Sequence, residues 1–480
     1  MLVDAAAYFR ALEDALTRAE RSIFILGWDF DGRIALRPDV APKRTLGPFL
    51  RSLVETRPEL EIRLLVWNLA VVHAPGSPME LLAGADWQEH PRISVRLDTD
   101  HPLYAAQHQK IVCIDDRMAF VGGIDLTVRR WDTPEHRAHH PARTSPDGET
   151  FGPVHDMQMA VEGAVARDLG ELVRGRWSLV TGEDCAATAP CGMPWPPEMP
   201  ADFEDVEVAI SRTAPAWKGT QECRESAALS VDALRSARDC IYIEAQYLTA
   251  PLIGDVLEER LEQKNGPEIV VILTAESHGL GERFFMGHNR DRLLCRLRRA
   301  DRHGRFRALY PVVPSADGDC QILVHAKLMI IDDRLLRIGS ANLNNRSIGL
   351  DSECDLAVDG TTADLRTTIG RLRDRLLAHH LGVAPEIVTA AVADAGSAIA
   401  ALDSLNQNPR GLRHFDLPDT PPGKGSVFGT ALFDPVRPFR LLAPVGRLKS
   451  FIRRRRYERR RKANSAATKA TSPIASGSRK

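Results

Sequence analysis

An α/β fold built of two duplicated lobes is what this sequence predicts, and three observations carry it. His108-Gln-Lys110-Ile-Val-Cys-Ile-Asp115 and His325-Ala-Lys327-Leu-Met-Ile-Ile-Asp332 are two copies of one pattern, H-x-K-x4-D, 217 residues apart. Strand-like segments ahead of the motifs recur as well: residues 22–28 match 240–246, 61–67 match 268–274, and 92–96 match 305–309, in the same order and 207 to 218 residues apart. Amphipathic helical patterns near 4–20 and 221–238 precede the first strand of each set, and strands alternating with helices imply a mixed or parallel sheet. The site is then expected at a pseudo-two-fold interface between the lobes.

Taken along the chain, residues 1–182 read as the first lobe and 183–202, rich in Pro and Ala, as a linker. Residues 203–385 read as the second lobe, closed by a helix over 364–381. The remainder, 386–480, reads as a loop-rich extension ending in a disordered basic tail. The long stretch 131–154 is expected to act as a lid. Its histidines His136, His139 and His140 lack a nearby acid or cysteine that would complete a metal set, so no metal or cofactor is expected.

The motif spacing has physical content. Four apolar residues follow each lysine, as in a strand buried on both faces. His and Lys are two apart, so on a strand they project to one side. Asp115 and Asp332 belong to the catalytic motif, but Asp115-Asp116-Arg117 and Asp332-Asp333-Arg334 look like hairpin turns, which favours a supporting role for the aspartates.

Two His and two Lys suit phosphoryl or phosphodiester chemistry. One neutral imidazole attacks phosphorus and the other, protonated, gives its proton to the leaving alcohol. Lys110 and Lys327 would offset the charge that builds on the non-bridging oxygens. Gly122 and Gly123 in the first turn, with Ser340 and Asn342 in the second, are the phosphate-binding candidates. Asp156 and Glu353, each downstream of a motif, are the candidates to hold one nitrogen of a catalytic imidazole.

Bulk properties set the setting. Residues 447–480 carry thirteen Lys or Arg and one acid, a local charge of +12, so the rest of a chain of net charge -1 sums to -13. The basic run at 447–462 is interleaved with Phe451, Ile452 and Tyr457, a composition suited to an anionic membrane surface, with nucleic acid as the alternative. The eight cysteines form no C-x2-C pair and read as free thiols of a reducing compartment. No secretory signal or membrane span is visible, so a cytoplasmic or peripheral protein is expected.

The two H-x-K-x4-D motifs resemble those of the phospholipase D superfamily, and the resemblance covers about residues 20–380. It extends to Phe120-Val-Gly-Gly-Ile-Asp-Leu126, Arg130-Trp-Asp-Thr-Pro-Glu-His136, His155-Asp156 and Ile241-Tyr-Ile-Glu-Ala-Gln-Tyr247. The Arg130–His136 stretch is most similar to the phospholipase D enzymes proper. The resemblance implies a nucleophile at His108, a general acid at His325, a phospholipid substrate, and water or a primary alcohol as acceptor. Cardiolipin synthase-like phosphatidyl transfer and metal-independent nuclease activity are the rival readings. Asp125 departs from the Asn seen at the matching Asn342, so the lobes are not expected to bind phosphate identically.

Overall fold

The computed structural model describes residues 1–68, 84–189, 191–276, 286–417 and 430–438; the basic segment 447–462 and Pro421-Pro422 lie outside them. The first lobe holds β1 (Ser22–Gly27), β2 (Glu61–Trp67), β3 (Ile93–Asp98), β4 (Ile111–Ile114), β5 (Met118–Gly122) and β6 (Met157–Glu162). Its seven-stranded sheet runs Leu2–Val3, β6, β5, β4, β1, β2, β3. The second lobe holds β7 (Val208–Ala214), β8 (Cys240–Ala245), β9 (Glu268–Leu273), β10 (Phe306–Ser315), β11 (Lys327–Ile331), β12 (Leu335–Gly339) and β13 (Glu353–Asp359). There the order is Cys223–Arg224, β7, β13, β12, β11, β8, β9, β10, Gly318–Gln321, with Gly411–His414 added on β10 to make ten strands.

The duplication extends to register. Motif strand β4 pairs antiparallel with β1, Ile23 opposite Ile114, and β11 pairs the same way with β8, Ile241 opposite Ile331. Beyond them β1-β2-β3 and β8-β9-β10 are parallel, so each sheet is mixed. Both motif strands are buried along their whole length, as their unbroken apolar runs require.

Each motif ends in a tight hairpin. Asp115 and Asp116 have φ of 54° and 50°, Asp332 and Asp333 of 53° and 50°. Two successive left-handed residues match the right-handed twist of the flanking strands, and Asp tolerates that conformation better than most side chains. The second aspartate of each turn meets an arginine from the helix that closes its lobe. Asp116 pairs with Arg174 of α3 (Ala164–Thr181), and Asp333 lies 2.6 Å from Arg373 of α7 (Ala363–Leu381).

Three apolar cores result. Helices α1 (Ala5–Thr17) and α2 (Leu46–Thr56) cover the outer face of the first sheet through Leu12, Leu16, Phe49 and Leu50. On the outer face of the second, α4 (Glu225–Ser236), α5 (Pro251–Glu262) and α6 (His288–Ala300) bring Leu234, Leu257, Leu294 and Leu297. The third core is shared: Phe24, Val121 and Trp177 of the first lobe join Tyr242, Ile330, Ile338 and Leu376 of the second. One compact unit, Met1–Arg437, contains both lobes.

Two expectations need correction. After residue 385 the chain is not loop-rich throughout: α8 (Pro385–Ala395) and α9 (Ala398–Leu405) send Val388, Ile399 and Leu402 into the shared core. Their alanine-rich sequence dilutes the apolar period that would have marked them. The stretch 131–154 is not a lid over its whole length, because Trp131, His136 and Arg143 are buried and Asp132 Oδ2 accepts from Val154 N at 2.9 Å. The linker is pinned to the body, with Trp195 and Met199 packed on the first core and Thr188 N donating to Asp116 Oδ2 at 2.8 Å.

Asp115 accepts from the amides of Glu20, Arg21 and Ser22 at 2.8 Å each, and Asp332 from those of Arg238, Asp239 and Cys240 at 2.7 to 2.8 Å. The first set is the more buried. Asp115→Ala should therefore lower unfolding free energy by about 3 kcal/mol or more and Asp332→Ala by less, because stranded buried amides cost about 1–3 kcal/mol each. Urea denaturation checks the order; equal losses would contradict it.

Candidate active site

The motif histidines enter the site from the starts of β4 and β11, and backbone from the opposite lobe fixes each entry. His108 N donates to Ser352 O at 3.0 Å, and His325 N donates to His155 O at 2.8 Å. A two-residue parallel pairing, Leu323–Val324 with Val154–His155, joins the lobes beside this point, and an isolated bridge between Gln107 and Ser352 repeats it on the symmetric side. The histidines therefore stand on the seam.

Each imidazole is held by a carboxylate from the other lobe. His108 Nδ1 lies 2.9 Å from Glu353 Oε2, and His325 Nδ1 lies 2.6 Å from Asp156 Oδ2. Once ionised, each carboxylate only accepts, so Nδ1 then carries the hydrogen and Nε2 keeps its lone pair for chemistry. Glu353 is braced in turn by Ser340 Oγ and Ser347 Oγ, both donating at 2.6 Å. Asp156 takes Met157 N at 2.8 Å through its other oxygen.

The lysines differ between lobes. Lys110 Nζ forms an ion pair with Asp125 Oδ2 at 2.9 Å. Lys327 Nζ instead reaches the neutral Gln246 Oε1 at 3.3 Å and the carbonyl of His325. Asn342 occupies the place matched to Asp125, and its buried Oδ1 has no hydrogen-bond partner among the described residues. The first lysine's charge is thus offset by a carboxylate of its own lobe, while the second is bonded to Gln246 Oε1, the His325 carbonyl and, at 3.1 Å, His325 Nδ1.

Burial dominates the electrostatics. It pushes the Glu353 carboxyl up to about 8 against the lowering effect of Ser340 and Ser347, and the Asp156 carboxyl up to about 7 against Lys327. Burial also pushes Lys327 down to about 7, with Asp156 opposing and Lys110 adding to the fall. Both histidines are held well below their ordinary value, by burial first, then by Lys110 and Lys327 for His108 and by Lys327 and Arg130 for His325. Beyond burial, the two lysines set the site against further positive charge on either imidazole.

His108, Lys110, His325, Lys327, Asp156 and Glu353 are brought together at the seam, with Asn342 in the second-lobe turn. Asp115 and Asp332 are not brought there. They sit at the far ends of β4 and β11 and serve backbone amides, a correction to their place among the catalytic residues. Three phosphate-binding candidates also change role. Gly122 is paired inside the sheet with Gln158, and a Cβ there would fall 2.3 Å from Met157 O. A Cβ on Gly123 would fall 2.1 Å from Asp156 Oδ1, so that glycine makes room for the orienting carboxylate. Ser340 spends its hydroxyl on Glu353 and on Cys354 N, 3.0 Å away. Gln246 and Ser347 were missed; Gln246 stands in a segment that repeats residues 22–28, and Ser347 had no sequence signal.

The fold and this seam define a bilobal α/β protein with paired His–Lys motifs meeting across a pseudo-two-fold interface. The family described as Phospholipase D matches residues 15–237, and the family described as Cardiolipin synthase, PLD-like domain, matches residues 231–372. The chain belongs to the phospholipase D superfamily. It is 24% identical over 493 residues to Phospholipase D1 of Schizosaccharomyces pombe, an alignment covering 81% of this chain and 35% of that protein. With Phospholipase D1 of Saccharomyces cerevisiae it shares 26% identity over 499 residues, 81% of this chain and 29% of the relative. The chain thus spans about a third of the length of these relatives. In three dimensions it is similar to phosphatidylserine synthase of Haemophilus influenzae Rd KW20, with a TM-score of 0.53 and 12% identity over 84% of this chain and 95% of that one, a likeness of fold.

Lys327 must stay protonated to hold an anion, and a lysine loses its proton as pH rises through its pKa. For the free enzyme kcat/KM should therefore fall above about pH 7, and Lys327→Arg, whatever its maximum, should move that limb upward because Arg keeps its charge. An alkaline limb unchanged in Lys327→Arg would remove Lys327 as its source.

Proposed function

We propose that this protein is a phospholipase D-type phosphodiesterase that cleaves the distal phosphate ester of a phosphoglyceride. The observation that carries the reading is the exchange of carboxylates between the lobes, which leaves Nε2 of both histidines free on one seam. His108 Nε2 attacks phosphorus, forming a P–N bond as the P–O bond to the head group breaks. His325 Nε2 gives its proton to the departing alkoxide. Water or a primary alcohol then attacks phosphorus, passes its proton to His325, and releases His108 with phosphatidic acid or an exchanged lipid as product.

Substrate itself completes the acid. Burial, and then the positive charge of Lys327, hold His325 deprotonated. A phosphate anion set against the lysines offsets that charge and lets His325 take up the proton that it must donate. The family match over residues 231–372 favours a second reading, phosphatidyl transfer to an alcohol acceptor as in cardiolipin synthesis, by the same residues. The composition of residues 447–462, basic side chains interleaved with Phe451, Ile452 and Tyr457, suits an anionic membrane surface and so favours a lipid substrate over nucleic acid. No single helix among the described residues is long and apolar enough to cross a membrane.

His108→Ala and His325→Ala should each lower turnover of phosphatidylcholine, phosphatidylethanolamine or phosphatidylglycerol vesicles by about 10³-fold or more. Ethanol should divert product from phosphatidic acid to phosphatidylethanol. A p-nitrophenyl leaving group, which departs without a proton, should restore activity to His325→Ala and not to His108→Ala. Rescue of His108→Ala instead would reverse the roles, and wild-type hydrolysis of single-stranded DNA with no lipid turnover would replace the reading by a nuclease.

Removing residues 447–480 should weaken binding to phosphatidylserine-containing vesicles about tenfold or more and leave hydrolysis of a soluble short-chain lipid unchanged. Undiminished vesicle binding would assign membrane contact elsewhere.

A further inference from the structure

Behind the catalytic seam lies a second cluster of histidines and carboxylates that the reaction does not use. Asp4 stands just before α1, His136 in the 131–154 stretch, and His379 in the last turn of α7. His136 Nε2 and His379 Nε2 are 2.8 Å apart, and each lies 3.5 Å from Asp4 Oδ2. Asp4 and His136 are fully buried, and His379 is buried but for a tenth of its side chain.

Hydrogen bonding alone leaves this triangle incomplete. Two imidazole nitrogens facing each other share one proton, so the contact is satisfied as a single N–H···N bond. Asp4 Oδ2 then has no hydrogen-bond partner among the described residues, and it belongs to a carboxylate with no solvent exposure. Its other oxygen is occupied by His155 Nδ1 at 2.9 Å, and His155 Nε2 is held by Glu244 Oε2 at 2.7 Å, so His155 closes the cluster without entering the triangle.

We propose that Asp4, His136 and His379 form a structural site for a divalent transition metal of the zinc class. The three edges, 2.8, 3.5 and 3.5 Å, bracket the about 3.3 Å separation expected between ligands of a tetrahedral Zn2+ at bond lengths near 2.0–2.1 Å. Small movements bring all three atoms onto one ion, with water at the fourth position. The surroundings are those of a built site. His136 Nδ1 lies 2.8 Å from Asp132 Oδ2, the carboxylate–imidazole arrangement that fixes the tautomer of a metal ligand, and Arg143 neutralises Asp132 from 3.0 Å. Nitrogen and carboxylate donors without thiolate suit Zn2+, Co2+ or Ni2+ better than Ca2+ or Mg2+.

The ion would tie together the chain's first residues, a loop of the first lobe and the closing helix of the second. Asp4 N also donates to Asp156 O at 2.9 Å, so the same tie steadies the residue that orients His325. Its role is structural.

The test uses the full chain expressed with added ZnSO4 and freed of loose metal by gel filtration. Elemental analysis should find about one equivalent of zinc. Exchange for Co2+ should give visible d–d bands of a four- or five-coordinate ion without a thiolate charge-transfer band. Removing the metal should lower Tm by several degrees, reversed by added Zn2+. His379→Gln and Asp4→Asn should each lose the equivalent, and if either variant fails to fold, the wild-type metal content and cobalt spectrum still decide. Less than about a tenth of an equivalent in the wild type, a cobalt–thiolate band, or full retention by a folded variant would each overturn the proposal.

Discussion

The exchange of hydrogen bonds across the seam is the constraint on which the rest of this structure depends. Neither lobe contains a complete pair of motif histidine and carboxylate. His108 needs Glu353, His325 needs Asp156, and the backbone around each histidine is paired with the other lobe. The lobes must therefore fold as one body for either imidazole to be oriented. The shared core that joins Trp177 and Val121 to Ile338 and Leu376 supplies the apolar burial that holds them together.

Packing charge so densely into a buried seam is costly, and the chain meets that cost with partners. Lys110 has Asp125, Arg337 has Asp355 at 2.7 Å, and Glu353 has two serine hydroxyls. Removing one member of such a pair typically costs about 3–5 kcal/mol, because the other is left charged and buried. The glycines in the two motif turns follow from the same crowding. Gly123 leaves space for Asp156, and Gly339 does so for Asp355, whose Oδ1 would lie 2.0 Å from a Cβ. Those small residues make room for the carboxylates.

Duplication has not kept the lobes equal. The first offsets its lysine with Asp125, whereas the second bonds Lys327 to Gln246 and His325 and carries Asn342 at the position matched to Asp125. The first lobe clears space with Gly123 where the second bonds Ser340 to Glu353. An asymmetric seam suits a reaction in which one histidine attacks and the other donates a proton.

Much of this was written in the sequence, for a physical reason. The strands and hairpin turns are set by local pattern: four apolar residues after each lysine make a strand buried on both faces, and Asp-Asp-Arg makes the turn that ends it. The motif histidines and lysines are legible because a duplicated pattern repeats its chemistry at a fixed spacing, and Asp156 and Glu353 because each is an acid downstream of its motif, ahead of an apolar strand-like stretch. What sequence could not decide is anything set by contacts between distant segments. That Glu353 serves His108 while Asp156 serves His325 depends on how the lobes face one another. That Asp4, His136 and His379 converge depends on three segments up to 375 residues apart meeting behind the seam. Local periodicity fixes each strand; only the closing of the shared core decides which carboxylate meets which imidazole.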